Sequence, residues 1–276
     1  MKKKMKISQS ALKDFYNEDK CDLVFAERYF NGWETPESEI KKVWYDGLIF
    51  EQGVLGANRS GKIFKYPRKG DGGLTVREKE MDQFVDEAKE VLYDVKQMKI
   101  LMVQPEIVYK HYVAHLDAIF MFKDEFEEVC KEFPEWEHKT EWTIEDLIGK
   151  KIHILDTKFT NASEIDRYNG WADPQFRIEN NPEQPQMYVW IMEKLLGYHP
   201  EFYYYIQGAS GWKRFVRVRV TEGCLSSFEL ILDKFETSLK SFIPKPVGKN
   251  TVCRKCYFYD SCPVATRFPE TEIVEI

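Results

Sequence analysis

Two stretches of sequence decide the fold of this chain: Ala114-His115-Leu116-Asp117-Ala118-Ile119-Phe120 and Ile152-His153-Ile154-Leu155-Asp156-Thr157-Lys158. Each contains a short apolar run, which is typical of a buried β-strand. Because side chains two positions apart on a strand point to the same face, Asp156 and Lys158 project together. If the two strands are neighbours, Asp117 joins them, and two carboxylates and one ammonium group meet at one edge of a sheet.

The segments around these strands show helical periodicity or further strand patterns. Thr75 and Glu78 form a capping box, and apolar residues spaced three and four apart follow, which predicts an amphipathic helix over 76–97. Other helices are predicted at 8–16, 22–30, 36–56, 184–196 and 226–242, strands at 100–103, 106–113, 116–122, 151–159, 202–207 and 215–220, and loops at 70–73 and 171–185. This order predicts one α/β domain over residues 1–276, with a mixed central sheet flanked by helices.

The charged residues of the two strands suit metal-assisted hydrolysis of a phosphodiester bond. Carboxylates such as those of Asp117 and Asp156 bind Mg²⁺ or Mn²⁺ through oxygen, and the metal activates water and neutralises charge on the phosphate. The ammonium group of Lys158 would orient that water or stabilise developing charge. Gln184 and Tyr188 share a helix face and could bind a phosphate oxygen and stack on a base. An Asp-x-Lys sequence is common, and alone it is also consistent with a surface ion pair.

Charge is unevenly distributed along the chain. The formal net charge is −6, yet residues 124–146 contain ten acidic residues and two lysines, a balance of −8, so the remainder carries +2. We interpret 124–146 as an acidic insertion that could dock a basic protein partner. The basic remainder could line a nucleic-acid groove, although basic residues are also ordinary on solvated loops and strand faces. The candidate contacts with nucleic acid are Arg59, Lys62, Lys65, Trp212, Lys213 and Arg214.

Four of the six cysteines lie near the two ends of the chain. Cys253, Cys256 and Cys262 are closely spaced near the C-terminus, and Cys21 lies near the N-terminus. Closely spaced thiolates bind iron–sulfur clusters or zinc. No apolar stretch follows the basic N-terminus, so no secretory signal is recognised and the thiols are expected to be reduced. The cysteines could also be unrelated core residues.

Taken in order, the motifs Asp117, Asp156-Thr157-Lys158 and Gln184-x-x-x-Tyr188 resemble the RecB-like branch of the PD-(D/E)XK nuclease superfamily. The opening Ile7-Ser8-Gln9-Ser10-Ala11-Leu12 is similar to the start of the same family, and the resemblance covers residues 7–264. It implies a restriction-endonuclease-like core. The catalytic residues that it implies are Asp117, Asp156, Lys158, Gln184 and Tyr188, and the metal ligands are Asp117, Asp156 and the backbone carbonyl of Thr157.

The resemblance also implies a cofactor. In AddB-type nucleases and CRISPR-associated RecB-like nucleases, one N-terminal and three C-terminal cysteines hold a 4Fe–4S cluster. The matching positions here are Cys21, Cys253, Cys256 and Cys262. Such a cluster would staple residues 1–34 to residues 244–264, which would pack together around it and close a very long loop. Zinc bound by the same cysteines is the alternative.

One position departs from the pattern of the family. Its members commonly carry a metal-binding histidine ahead of the first aspartate, in the sequence Gly-x-x-x-His. The matching frame is Gly53-Val54-Leu55-Gly56-Ala57, in which Ala57 replaces the histidine. Glu51 could supply the missing metal ligand. Otherwise the site is expected to be weak or inactive.

Two functions from different classes follow from these observations. The first is a Mg²⁺- or Mn²⁺-dependent DNA nuclease, with the exonuclease preference for single strands or DNA ends that the resemblance implies. The second is a weak or inactive nucleic-acid-binding or complex-assembly protein on the same fold, which Ala57 favours. A zinc hydrolase is a weaker third interpretation, based on His111 and His115. No apolar run reaches the roughly 20 residues that a bilayer requires, so we expect no membrane contact and a cytoplasmic location, in the host cytoplasm if the protein is viral.

Overall fold

The computed structural model describes most of the chain. It covers residues 6–17, 21–33, 42–58, 60–70, 73–162 and 171–245, together with Cys256 and Cys262. The chain divides into two compact units, of which the first combines residues 1–35 with 229–276 and the second spans 36–228. Within the described ranges, the helices are too short or too polar to cross a lipid bilayer.

In the described part of the chain, a group of helices precedes a group of strands, and helices and strands are mixed after them. The helices are α1 (Gln9–Tyr16), α2 (Asp22–Tyr29), α3 (Lys42–Leu55), α4 (Val76–Lys89), α5 (Lys123–Glu132), α6 (Ile144–Leu147), α7 (Pro174–Glu179), α8 (Glu183–Leu196) and α9 (Glu222–Lys240). The strands are β1 (Met98–Val103), β2 (Glu106–Tyr109), β3 (Tyr112–His115), β4 (Ala118–Phe122), β5 (His153–Thr160), β6 (Glu201–Gly208) and β7 (Lys213–Val218). A π-helical turn at Glu90–Val95 extends α4, so the helix predicted over 76–97 is confirmed.

Five strands form the central sheet of the second unit, in the order β1-β4-β5-β6-β7. β5 and β6 are parallel, and the other neighbours are antiparallel. A parallel pair requires a crossover connection, and the segment containing α7 and α8 makes it. The prediction of a mixed sheet flanked by helices is confirmed, whereas the stapling of the termini by a cluster stays a prediction.

One face of the sheet packs against α3 and α4. Phe50 of α3 is fully buried and contacts Phe159 and Tyr205, with ring centroids 5.5 and 6.3 Å apart. The two helices approach closely because Gly53 has no side chain: a Cβ added there would lie 2.5 Å from Cγ2 of Val85. Gly53 of the Gly-x-x-x-His frame is therefore explained by helix packing alone.

The other face of the sheet is covered by α8. Its Tyr188 ring contacts Phe202 of β6 at 6.2 Å, and its Trp190 packs edge-on against Tyr109 and Tyr112 at 5.6 and 4.9 Å. The helix ends at Gly197, whose φ of 67° is in the left-handed region that glycine favours. These contacts fix α8 over the sheet and bring its first turn to β5.

The single strand predicted over 106–113 is wrong. The structure shows a β-hairpin, in which β2 and β3 pair antiparallel and form a separate two-stranded sheet. Tyr109 pairs with Tyr112, so Lys110 and His111 form the loop, and Lys110 has a φ of 57°. Two-residue hairpin loops need positive φ, and lysine and histidine give no turn signal of the Asn-Gly kind. Without a turn signal, the alternating apolar residues on either side of the loop predict one continuous strand.

The acidic segment 124–146 lies between β4 and β5. It forms α5, a 3₁₀-helix at Pro134–His138 and α6, and it buries Trp136 and Trp142. Glu125 joins the segment to the sheet, since its carboxylate contacts His153 at 2.7 Å and Lys151 at 2.6 Å. The segment is thus a folded insertion that buries apolar side chains of its own. Most of its acidic residues other than Glu125 are exposed.

The first unit contains α1, α2 and the C-terminal part of α9. Ser8 caps α1, because its hydroxyl accepts a hydrogen bond from the Ala11 N–H at 3.3 Å. Phe15 packs against Phe25 and Phe235, with centroid separations of 5.4 and 4.9 Å. The described cysteines form no disulfide. Cys253 lies outside the described residues, as does most of 244–264.

Candidate active site

The candidate site lies where β4 and β5 separate. Their ladder ends at the pair Ala118 and Leu155, while β5 continues to Thr160 beside β6. Asp117 fills the position that β4 vacates. Its Oδ2 accepts hydrogen bonds from the backbone N–H of Thr157 at 2.7 Å and from the Thr157 hydroxyl at 3.0 Å. A carboxylate therefore replaces a strand as the partner of β5 at this point.

Asp156 is the centre of the polar contacts at this site. The residue is 1% exposed. Its Oδ1 forms an ion pair with the Lys158 ammonium group, and its Oδ2 accepts a hydrogen bond from Nε2 of Gln184 at 2.5 Å. Gln184 Nε2 also lies 3.5 Å from the hydroxyl of Tyr188. The structure thus brings together the residues that the sequence placed on one strand face and one helix face.

Tyr204, which pairs with Asp156 across the sheet, orients the Gln184 amide. Its hydroxyl donates a hydrogen bond to Oε1 of Gln184 at 3.3 Å. Burial and, secondarily, the nearby charge of Asp156 raise the pKa of Tyr204 well above its ordinary value. The phenol therefore stays protonated and remains a donor, which turns the NH₂ group of Gln184 toward Asp156.

Gln104 links Glu51 of α3 to Asp117 by hydrogen bonds. Gln104 donates its backbone N–H to the carbonyl of Asp117 at 2.9 Å, and its side-chain amide donates to Oε1 of Glu51. Glu51 is buried, with 7% of its surface exposed. Ala57 follows the end of α3 at Leu55, so even the position of the missing histidine lies beyond the helix.

The residues present fit a divalent cation held mainly by two carboxylates. Among the described residues, no group of three His, Cys, Asp or Glu side chains is arranged to hold a metal ion. Mg²⁺ commonly binds one or two carboxylates and keeps several water molecules, which Asp117 and Asp156 could provide. Because the N–H and C=O of a strand residue point to the same side, the Thr157 carbonyl also lies toward Asp117.

The predicted contacts with nucleic acid occupy two segments. Lys62 and Lys65 are exposed in the loop after α3, while Arg59 of the same loop lies outside the described residues. Lys213 and Arg214 are exposed at the start of β7, where Lys213 pairs with Glu87 at 3.1 Å. All four described cations are accessible to a polyanion, and their contact with nucleic acid stays a prediction.

Trp212 does not fit its predicted role in base stacking. Its side chain is only 8% exposed, and its Nε1 donates a hydrogen bond to the carbonyl of Ala162 at 3.0 Å. The indole lies directly against Gly208, because a Cβ added to that glycine would be 2.2 Å from the ring. Trp212 is therefore a packing residue, and its sequence neighbours Lys213 and Arg214 did not reveal this.

The segment 171–185, predicted to be a loop, contains the helix α7. Asp173 caps this helix by accepting the Phe176 N–H at 3.1 Å, and Pro174 is its first residue. An Asp-Pro pair is a typical start of a helix, so the signal was present. Trp171 and Gln104 were also missed as parts of the site, since neither belongs to a recognised motif.

Comparisons with known proteins bear on the fold. No protein-family model matches the sequence, and no curated protein matches it significantly. The structure is similar to the crystal structure of a protein from Eubacterium rectale described as a "putative exonuclease", with a TM-score of 0.56 and 14% sequence identity. The similarity covers 99% of this chain and 91% of that chain. This chain therefore shares its overall fold with the protein given that description.

Proposed function

We propose that this chain is a metal-dependent DNA nuclease that acts on single strands or DNA ends. The observation that carries the proposal is the convergence of Asp117, Asp156 and Lys158 at the point where β4 leaves β5. Two buried carboxylates beside an ammonium group suit the hydrolysis of a phosphodiester bond. The similarity of the fold to a protein described as an exonuclease supports the same reaction class.

Each residue has a distinct role in this proposal. Asp117, Asp156 and the Thr157 carbonyl would hold Mg²⁺ or Mn²⁺, and Glu51, which Gln104 links to the backbone of Asp117, would be a further ligand. The bound cation would supply Lewis acidity and lower the pKa of water. Lys158 would place positive charge beside the scissile phosphate, where charge develops during the reaction.

Gln184 and Tyr188 would act by holding the first turn of α8 against the site. The Gln184 amide fixes one oxygen of Asp156, and Tyr204 fixes the amide in turn. When a strand binds, the amide could pass from Asp156 to a phosphate oxygen, since both accept the same hydrogen bond. The Tyr188 hydroxyl lies beside the Gln184 amide, one helical turn further along α8.

The proposal is tested by cleavage of labelled single-stranded and duplex DNA with Mg²⁺, Mn²⁺ or EDTA. We expect cleavage with either metal and none in EDTA. Asp156→Asn preserves the shape of the side chain but removes its charge, so it should lower the rate by about 100-fold or more. Asp146→Asn is the matched control, because Asp146 pairs with Lys139 in the acidic segment. Cleavage that resists EDTA, or that Asp156→Asn leaves intact, would contradict the proposal.

A second candidate function is supported by a specific contact pattern. Both oxygens of Asp156 are engaged by protein groups, Oδ1 by Lys158 and Oδ2 by Gln184, and Ala57 replaces the usual histidine. A protein that binds nucleic acid without cutting it would show this pattern. The two candidates differ in the effect of Mn²⁺ on the melting temperature. Mn²⁺ should raise the melting temperature of the nuclease, because a ligand at 100 times its Kd stabilises the folded state by about 2.7 kcal/mol. It should leave that of the non-catalytic protein unchanged.

We further propose a 4Fe–4S cluster bound by Cys21, Cys253, Cys256 and Cys262. Cys21, Cys256 and Cys262 belong to the same compact unit, are half-buried and form no disulfide. Thiolates of this kind are ligands of iron–sulfur clusters or zinc. The role of the cluster would be structural, since it would join the two ends of the chain that build the first unit.

The cluster proposal predicts a brown protein when purification excludes oxygen. Iron and acid-labile sulfide should be present in equal amounts, and Cys256→Ser should lose both and melt at a lower temperature. Each kcal/mol of lost stability lowers Tm by about 2–4 °C in a chain of this size. Cys130→Ser is the matched control, because Cys130 belongs to the acidic segment. Zinc without iron, or neither metal in the wild type, would contradict the cluster.

A further inference from the structure

Trp171 lies over the centre of the candidate site. Its ring centroid is 4.7 Å from that of Tyr204, which pairs across the sheet with Asp156. The Lys158 ammonium group is 5.9 Å from the Trp171 centroid and 5.7 Å from that of Tyr204. Tyr204 is buried, whereas Trp171 is partly exposed. Trp171 is thus an accessible ring within 6 Å of the lysine that would contact the scissile phosphate.

Arg177 of α7 contacts the same ring. Its guanidinium carbon is 5.7 Å from the Trp171 centroid. The cap formed by Asp173 holds the first turn of α7 and so fixes the direction from which Arg177 approaches. On the same helix, Phe176 is 45% exposed. Trp171 and Arg177 therefore stand beside the site on one short segment.

We propose that Trp171 and Arg177 form a binding site for an unpaired nucleotide next to the scissile phosphate. The base would stack on Trp171, and Arg177 would bind the neighbouring phosphate. Aromatic rings stack on any base, and guanidinium groups both lie on aromatic faces and bind phosphate through two hydrogen bonds. The inference rests on the proposed nuclease function and adds residues that contact the substrate.

The substrate class follows from the chemistry of stacking. A protein side chain can stack on a base only when that base has left the stack of a duplex, which costs a few kcal/mol for a paired base. An unpaired strand or a frayed end avoids this cost. The site should therefore favour single-stranded DNA over duplex DNA before any bond is cleaved.

The test measures binding without metal, so that cleavage does not interfere. Fluorescence anisotropy of a short labelled oligothymidylate, in EDTA, gives the Kd of each variant beside that for a duplex of equal length. We expect Trp171→Ala to raise the single-strand Kd by roughly 5- to 150-fold, because one stacked base contributes about 1–3 kcal/mol. Trp171→Phe should keep most of the affinity. Trp33→Ala is the matched control, since Arg28 contacts Trp33 at 5.8 Å in the first unit.

Arg177→Gln provides a second readout that a structural role would not change. Removing one phosphate contact should lower the slope of log affinity against log salt by about 0.7 for a single strand. This measurement decides the matter if Trp171→Ala does not fold. An unchanged Kd in folded Trp171→Ala, an unchanged salt slope in Arg177→Gln, or equal wild-type affinity for duplex would overturn the inference. Single-strand binding that depends on Trp171 but is never followed by cleavage would instead contradict the nuclease function alone.

Discussion

Replacing Lys158 by alanine is expected to lower the rate of DNA cleavage by about 100-fold or more. Lys158 carries the ammonium group that pairs with the buried Asp156 and lies over Tyr204 and Trp171. In the proposed reaction, its charge would lie where negative charge develops on the phosphate. Arginine cannot replace it, because the planar guanidinium is larger and donates in different directions. We expect Lys158→Arg to remain folded and still lose most of the activity.

The measurement compares initial cleavage rates of the wild type, Lys158→Ala, Lys158→Arg and Lys123→Ala. Lys123 is a suitable control because it is 59% exposed and pairs with Glu127 on α5. Melting temperatures of the same preparations separate catalysis from folding, since removing one partner of a buried ion pair is itself destabilising. Full activity in a folded Lys158→Ala variant would remove Lys158 from the reaction and favour the non-catalytic function.

The Gly208→Ala substitution should produce a large loss of stability. The new methyl group would lie 2.2 Å from two atoms of the Trp212 ring. The ring cannot easily move, because its Nε1 is bound to Ala162 and the Trp212 backbone carbonyl accepts the Gly208 N–H at 2.8 Å. Overpacking of this kind typically costs about 1–3 kcal/mol. The corresponding fall in Tm is about 2–4 °C per kcal/mol.

Chemical denaturation of the variants beside the wild type tests this expectation. Gly47→Ala is the matched control: Gly47 lies in α3, and an added Cβ there meets nothing within 4 Å. This change should stabilise the protein by about 0.5–1 kcal/mol, because alanine favours a helix interior over glycine. Gly208→Ala should cost less in a Trp212→Leu background than in the wild type, since the two sites are in contact. Equal stability of Gly208→Ala and wild type would show that the Trp212 ring has room to rotate.

The sequence predicted those parts of the fold whose signals are local. The capping box at Thr75 and the apolar spacing after it located α4, and short apolar runs located β4 and β5. The hairpin at Lys110 and the helix α7 were missed. In the first case the turn lacks the usual residues, and in the second the Asp-Pro pair is common both in loops and at helix starts.

By itself, the sequence determined which chemical groups are available and how they are spaced along each element. The period of two on β5 places Asp156 beside Lys158, and the spacing of four on α8 places Gln184 beside Tyr188. Such relations depend only on the geometry of one strand or one helix. They could be predicted without knowledge of any other part of the chain.

Only the tertiary structure decided which groups from distant segments meet. The early end of the β4 ladder makes Asp117 the partner of the Thr157 N–H, and the parallel register of β6 brings Tyr204 to Gln184. Packing on Gly208 buried Trp212, while Trp171 remained partly exposed over Lys158. Strand register and ring burial depend on contacts between residues far apart in sequence, so no local pattern encodes them.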